Sequence, residues 1–232
     1  MNSRFVFIYG LLAILLISLG WVAFRYLGPT ELPINNVKIS GDLPHVTRAQ
    51  LEQVIIPFVQ ADFFTINVNE LRQNLLQFPW IKTAVVSRVW PGTLSIYLAE
   101  YKPLARWNKL GLMSQQGDVF FPDPKTLPPD LPQLAGPEQQ AKSVFKQYQI
   151  CKQLLRTLQL QVTRLQLTDR GAWTLSLDNG MQLLLGTRDP IDHLNRFVSV
   201  YNGVFGSAKL QAQQVDLRYP NGMAVKWRKA PG

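Results

Sequence analysis

Residues 78–107 read FPWIKTAVVSRVWPGTLSIYLAEYKPLARW. From Ile81 to Val89 the chain alternates: Ile81, Thr83, Val85 and Ser87 on one side, Lys82, Ala84, Val86 and Arg88 on the other. A period of two predicts a strand. Trp90-Pro91-Gly92-Thr93 predicts a turn, and Leu94, Ile96 and Leu98 alternate in a following strand. Trp80 and Trp90 read as turn and core aromatics rather than binding residues.

Upstream of this pair, Asn67-Val68-Asn69-Glu70 starts a helix that carries Leu71, Leu75 and Leu76 on one face and closes at Phe78-Pro79. Before it, Thr47-Arg48-Ala49-Gln50 has the capping-box pattern, with Leu51, Val54 and Ile55 at helical spacing. Pro57 is expected to stop that helix. Ile34 to Ser40 alternates around Val37 and Ile39, a first strand ended by Gly41-Asp42. Residues 34–100 therefore predict β-α-α-β-β, two helices layered on a three-stranded sheet.

Still further upstream, Phe5 to Phe24 is FVFIYGLLAILLISLGWVAF, a run without a charge between Arg4 and Arg25. As a helix rising about 1.5 Å per residue it spans about 30 Å, the thickness of a bilayer core. Tyr9, Trp21 and Tyr26 lie towards its ends, where aromatic rings favour the interface. Bulky Trp21 and Phe24 spoil a small-x-small cleavage site, so the run predicts an uncleaved signal anchor. The α-amino group and Arg4 favour a cytoplasmic N-terminus.

Downstream, Leu110 to Ser114 and Asp118 to Phe121 flank Gln115-Gln116-Gly117, a hairpin signal. Six prolines between Pro122 and Pro137 predict an extended connection, with Leu131 to Leu134 crossing the sheet. Val144, Tyr148, Cys151, Leu155 and Leu158 make one apolar helical stripe. Val162 to Thr168 reads as a strand. Trp173 to Leu185 reads as a hairpin about Asp178-Asn179-Gly180. Asp189-Pro190 is expected to cap a helix lined by Leu194, Phe197, Val198, Tyr201 and Phe205. Gln214 to Arg218, the turn Tyr219-Pro220-Asn221-Gly222 and a strand from Met223 to Arg228 follow. The expected second domain is an antiparallel β-rich sheet with two helices, and the fold class of the whole is α+β.

Charge divides along the same line. Residues 34–100 hold five basic and five acidic side chains, whereas residues 101–232 hold 17 and 9. The basic residues are scattered singly, without the aromatic-interleaved clusters that bind nucleic acid. A single cysteine, Cys151, excludes an intramolecular disulfide framework and a Cys-based zinc cluster. On an apolar stripe without a flanking acid or base, it reads as a buried small hydrophobe. There are two histidines, His45 and His193. No G-x-S-x-G, Walker loop, G-x-G-x-x-G or H-E-x-x-H occurs. Asp189 and Asp192 beside His193 read as first-turn acids, not a metal site. The residues thus predict a binding protein rather than an enzyme, with no cofactor, metal or small-molecule substrate.

The β-α-α-β-β order with the strings Phe78-Pro79-Trp80-Ile81-Lys82 and Trp90-Pro91 resembles a POTRA domain, a small binding module found beside membranes. With Glu100 to Trp107, Leu183-Leu184-Leu185-Gly186 and Val215 to Trp227, the chain resembles the FtsQ/DivIB family of bacterial cell division proteins over nearly its whole length. The resemblance implies a short cytoplasmic tail (1–4), a transmembrane anchor (5–24), a linker (25–33), a POTRA domain (34–100) and a C-terminal β domain (101–232). It implies an inner-membrane protein with a periplasmic C-terminus, concentrated at the division septum, that binds FtsB and FtsL and links early and late division proteins. Only four residues precede the span, where family members often carry a longer tail. Two other readings concern exported proteins. One, a membrane-anchored POTRA assembly factor, stays open. The other, an outer-membrane transporter, fails because about 130 residues with two helices cannot form its barrel.

The last strand ends the chain, so it is expected to offer an edge to a partner strand. Its alternation puts Met223, Val225 and Trp227 on one face and Ala224, Lys226 and Arg228 on the other. The resemblance implies that FtsB adds its strand here. It carries partner binding onto Tyr219, Asn221, Gly222, Ala224, Lys226 and Trp227, with Arg218 and Arg170 facing acids on FtsB. It also places a recruitment patch for upstream division proteins at Val86 and Arg88.

Overall fold

The computed structural model describes residues 12–23, 32–205, 212–220 and 222–228. It forms two compact units, 1–99 and 100–232. Residues 12–23 are helical (α1) and carry Leu12, Ile14, Leu15, Leu16, Ile17 and Leu19 exposed. Among the described residues no helix is long and apolar enough to cross a membrane. The remainder of the run 5–24 lies outside them.

The first unit follows the order β1 (Asn36–Ser40), α2 (Arg48–Val59), α3 (Val68–Leu75), β2 (Ile81–Val89) and β3 (Thr93–Glu100). Thr47 caps α2, and its hydroxyl and the Gln50 side chain form the reciprocal capping box. Asn67 caps α3 by accepting from the Glu70 amide at 3.1 Å. Pro57 does not stop α2, which runs on to Val59 with the proline inside it. The fixed φ of proline suits a helix, but Pro57 lacks the amide that would bond the carbonyl four residues back, and the helix continues past it for only two residues. The sheet order is β1-β3-β2, with β1 parallel to β3. Leu51, Ile55, Leu71 and Leu75 of the helices and Ala84, Leu94, Ile96 and Leu98 of the sheet are all buried, and α3 packs on both β2 and α2. Each such large aliphatic side chain contributes about 1.5–3 kcal/mol. Gly41 is required: at φ +132 a Cβ would lie 1.9 Å from the Leu98 carbonyl oxygen. Trp80 is buried and stacks on His45 at 3.6 Å. Trp90 is not core, at 75% exposed.

The second unit runs β4 (Pro103–Trp107), β5 (Gly111–Ser114), β6 (Val119–Phe120), β7 (Gln133–Ala135), α4 (Ala141–Arg156), β8 (Val162–Leu167), β9 (Trp173–Leu177), β10 (Gln182–Gly186), α5 (Pro190–Val204), β11 (Ala212–Asp216) and β12 (Ala224–Trp227). Its nine strands form one sheet in the order β12-β11-β10-β9-β8-β7-β4-β5-β6. The sheet is mixed, not antiparallel: β4 with β7, β7 with β8, and β10 with β11 are parallel. The latter two pairs are each bridged by a helix, the crossover that parallel neighbours need. Helix α4 packs on β7 and β8, α5 packs on β10, and the two helices touch. One sheet face is thereby covered. The other carries a polar row through Arg106, Gln133, Arg164, Ser176, Gln182 and Gln214 to Lys226, residues paired in register from strand to strand.

Asp189 does not cap α5 with its side chain. It sits at φ 44 in the left-handed region, and its carbonyl accepts from the His193 amide at 3.1 Å. Pro190 at the first helical turn disfavours the right-handed helical conformation for the residue before it. Leu194 and Phe197 are fully buried, while Val198, Tyr201 and Phe205 are half-buried against the same core.

Cys151 is buried on the inner face of α4, and burial pushes its thiol up to about 12, from 9.0. The native protein is expected to resist a thiol reagent at neutral pH and to react once in denaturant. Because the native thiol holds its proton longer than the unfolded one, this contribution to stability is full below about pH 9 and is lost as pH rises towards 12. A chemical-denaturation series across that window checks the sign.

Candidate functional site

Strand β12 is the outermost strand at one side of the nine-stranded sheet among the described residues. It pairs antiparallel with β11, Asp216 opposite Ala224 and Gln214 opposite Lys226. Met223 and Val225 pack against the core, and the Trp227 ring lies 5.9 Å from that of Phe205. Ala224 and Lys226 are exposed. The alternation expected from the sequence thus holds on both sides of the strand.

The turn before β12 is built from behind. Leu217 is buried and its amide donates to the Leu184 carbonyl at 3.0 Å, extending the pairing of β10 with β11. Arg196, from α5, donates to the carbonyls of Leu217, at 3.3 Å, and Pro220. Arg196 therefore ties the backbone before and within the turn to the helix layer. Sequence reasoning missed it, since nothing in an amphipathic helix shows that one arginine spans to backbone more than twenty residues away. The stem of Arg218 crosses Gly186, where a Cβ would stand 3.0 Å from Arg218 Cγ at φ +77. Its guanidinium donates to both Asp216 carboxylate oxygens, Nε at 2.8 Å and Nη2 at 2.5 Å. These bonds hold the Asp216 carboxyl below the usual range and raise the Arg218 guanidinium. Arg218 is thus neutralised locally, and an acid on a partner must share it with Asp216.

Tyr219 is 54% exposed and Trp227 36%. A Cβ on Gly222 would meet nothing within 4 Å among the described residues, its chain neighbours aside. Asn221 lies outside the described residues. Arg170 is exposed in the turn between β8 and β9. The register puts that turn at the same sheet end as Tyr219: Trp173 opposes Gly186, Leu184 opposes Asp216, and Asp216 opposes Ala224. Three strand spacings, about 14 Å, separate β9 from β12. Arg170, Arg218, Tyr219 and Gly222 thus gather at one end of the sheet.

In the first unit, Val86 is half-buried and Arg88 exposed. The Arg88 guanidinium donates to the Ile66 carbonyl at 2.9 Å, tying the end of β2 to the loop before α3. His193 Nδ1 lies 2.7 Å from the Leu185 carbonyl, which gives that ring a structural partner. A cleft of about 490 Å³ opens by the polar sheet face, lined by Asn108, Lys109, Gln133 and Arg164 among others. Three of its residues bond one another: Arg164 donates to Gln133 at 2.8 Å and Gln133 to the Asn108 carbonyl at 3.3 Å.

Two family models match the chain. "POTRA domain, FtsQ-type" matches residues 32–101, and "Cell division protein FtsQ/DivIB, C-terminal" matches residues 105–218. The second stops at Arg218, before β12. The cell division protein FtsQ of Coxiella burnetii is 36% identical over 200 residues, covering 86% of this chain and 82% of that protein. The FtsQ of Allochromatium vinosum is 33% identical over 98% of this chain and 91% of its own. The FtsQ of Xanthomonas campestris pv. campestris is 32% identical over 100% of this chain and 84% of its own, and so extends through β12.

Proposed function

The chain belongs to the FtsQ/DivIB family of cell division proteins, and from that premise we propose that it is a non-enzymatic, single-pass scaffold of the division machinery. Residues 5–24 anchor it in the inner membrane, with residues 1–4 cytoplasmic and the two folded units, 34–100 and 101–232, periplasmic. At the septum it binds FtsB and FtsL. The observation that carries this reading is the outermost position of β12, with Ala224 and Lys226 exposed beside a turn pinned by Arg196. A strand of FtsB adds to that edge: backbone bonds supply affinity, and Tyr219, Gly222 and Trp227 supply selectivity. Arg170 and Arg218 draw an acidic partner to this end of the sheet, which favours encounter and register. Asn221 is a further partner-binding residue of this stretch, and Val86 with Arg88 forms a separate patch for another division protein.

The test is co-purification of the full chain with the periplasmic segments of FtsB and FtsL, and with a scrambled FtsB segment as competitor. A complex that the scrambled segment does not displace is expected. No complex from folded protein overturns the reading. Equal capture of unrelated extended peptides would instead fit a general assembly factor for exported proteins.

A further inference from the structure

The chain enters the first unit through Leu32 to Asn36, and two loops grip it there. On one side the Leu32 amide donates to Asp62 Oδ2 at 2.5 Å, and the Leu32 carbonyl accepts from the Phe63 amide at 2.9 Å. Asp62 Oδ1 accepts from the Phe64 amide at 2.8 Å, so this carboxylate is spent on shaping the loop. On the other side the Gly92 carbonyl accepts from the amides of Asn35, at 2.9 Å, and Asn36, at 3.3 Å. Arg88, at the end of β2 just before the second loop, bonds the Ile66 carbonyl in the first.

Each loop holds an aromatic side chain out to solvent. Phe64 is 53% exposed, and Trp90, at 75%, is the most exposed large apolar side chain among the described residues. Val89 beside it is 48% exposed. The fold does not require such exposure, since Trp80 and Phe63 show the same unit burying aromatics where it can. Both loops flank the point where the chain arrives from the apolar run. Only residues 25–31 separate that run from Leu32, a tether that reaches about 25 Å at full extension. So short a tether keeps the effective concentration of bilayer surface high, and a weak interfacial affinity becomes populated. Tryptophan and phenylalanine beside an aliphatic side chain are the residues that partition into the headgroup region.

We propose that the Phe64 and Trp90 loops are a second membrane contact, seated in the headgroup layer, which orients the first unit on the bilayer surface. This rests on the reading of residues 5–24 as an anchor. The test reconstitutes the full chain in phosphatidylcholine–phosphatidylglycerol vesicles with one added cysteine, Phe64→Cys, Trp90→Cys or Asp42→Cys. Each is labelled with an environment-sensitive dye, buried Cys151 being shielded. Gly41, next to Asp42, packs on Leu98 at the opposite end of β3 from Gly92, so Asp42→Cys is the aqueous control. Dyes at 64 and 90 are expected to shift to the blue and to be quenched by lipid-borne nitroxides, unlike the dye at 42. If all three remain water-like in vesicles from which alkali does not extract the protein, the second contact is wrong and the anchor stands. If alkali extracts the protein, the anchor fails, and the second contact with it.

Discussion

Replacing Leu15 and Leu16 with lysine is expected to remove the chain from the membrane fraction. Both side chains stand exposed on α1, at 60% and 59%, as do Ile14 and Ile17 on either side of them. A helix apolar all round has no water-facing side and must be covered by lipid or protein. A lysine near the centre of a spanning helix costs about 2.5–3.5 kcal/mol, so two cost about 5–7 kcal/mol. That exceeds what one marginal span recovers by shifting or snorkelling its ends. Alanine at the same two positions keeps the run apolar and is expected to keep the protein membrane-bound after alkaline extraction. If the double-lysine variant also stays bound, residues 5–24 are not the anchor.

The elements of the fold were legible where a local signal specified them. Thr47 with Gln50 and Asn67 with Glu70 mark helix starts through bonds that close within a few residues, and Pro190 marks one through its fixed φ at the first helical turn. Pro57 misled because its fixed φ is compatible with a helix, so that it weakens the last turn of α2 without ending it. Strand direction was not legible. Leu165, Leu175 and Leu183 alternate identically whether their neighbours run parallel or antiparallel, and the connections between strands decide, helical ones for β7 with β8 and β10 with β11. At the candidate edge, the exposed face of β12 followed from its period of two. The Asp216–Arg218 pair is a same-side i, i+2 contact that the period also implies. Arg196 was hidden, because its partners are backbone carbonyls brought near by the β10-α5-β11 crossover. Trp90 was misjudged for the opposite reason: composition favours burying tryptophan, and an exposed one is visible only once the loop around it is built.

At the β12 edge, Tyr219→Ala and Arg218→Glu are each expected to weaken FtsB binding by at least about 2 kcal/mol, roughly thirtyfold, as truncated anchors of an interface do. Tyr219 is exposed, so its loss leaves the melting temperature within about a degree or two. Arg218→Glu also breaks the bonds to Asp216 and sets two carboxylates side by side, so it needs its own control. Arg218→Gln removes the charge while keeping a hydrogen-bond donor for Asp216. If loss of charge toward the partner matters, the glutamine variant weakens binding with little change in melting. Gly222 separates fold from partner most cleanly. Among the described residues, its chain neighbours aside, a Cβ there meets nothing within 4 Å, so Gly222→Val is expected to leave the unit folded. Gly222 precedes β12, and the valine branches add bulk to the turn beside the edge where the partner strand is proposed to add. Unchanged melting with weakened FtsB capture is the expected result. Unchanged melting with unchanged capture, for Gly222→Val and Tyr219→Ala together, would move the FtsB site away from this edge.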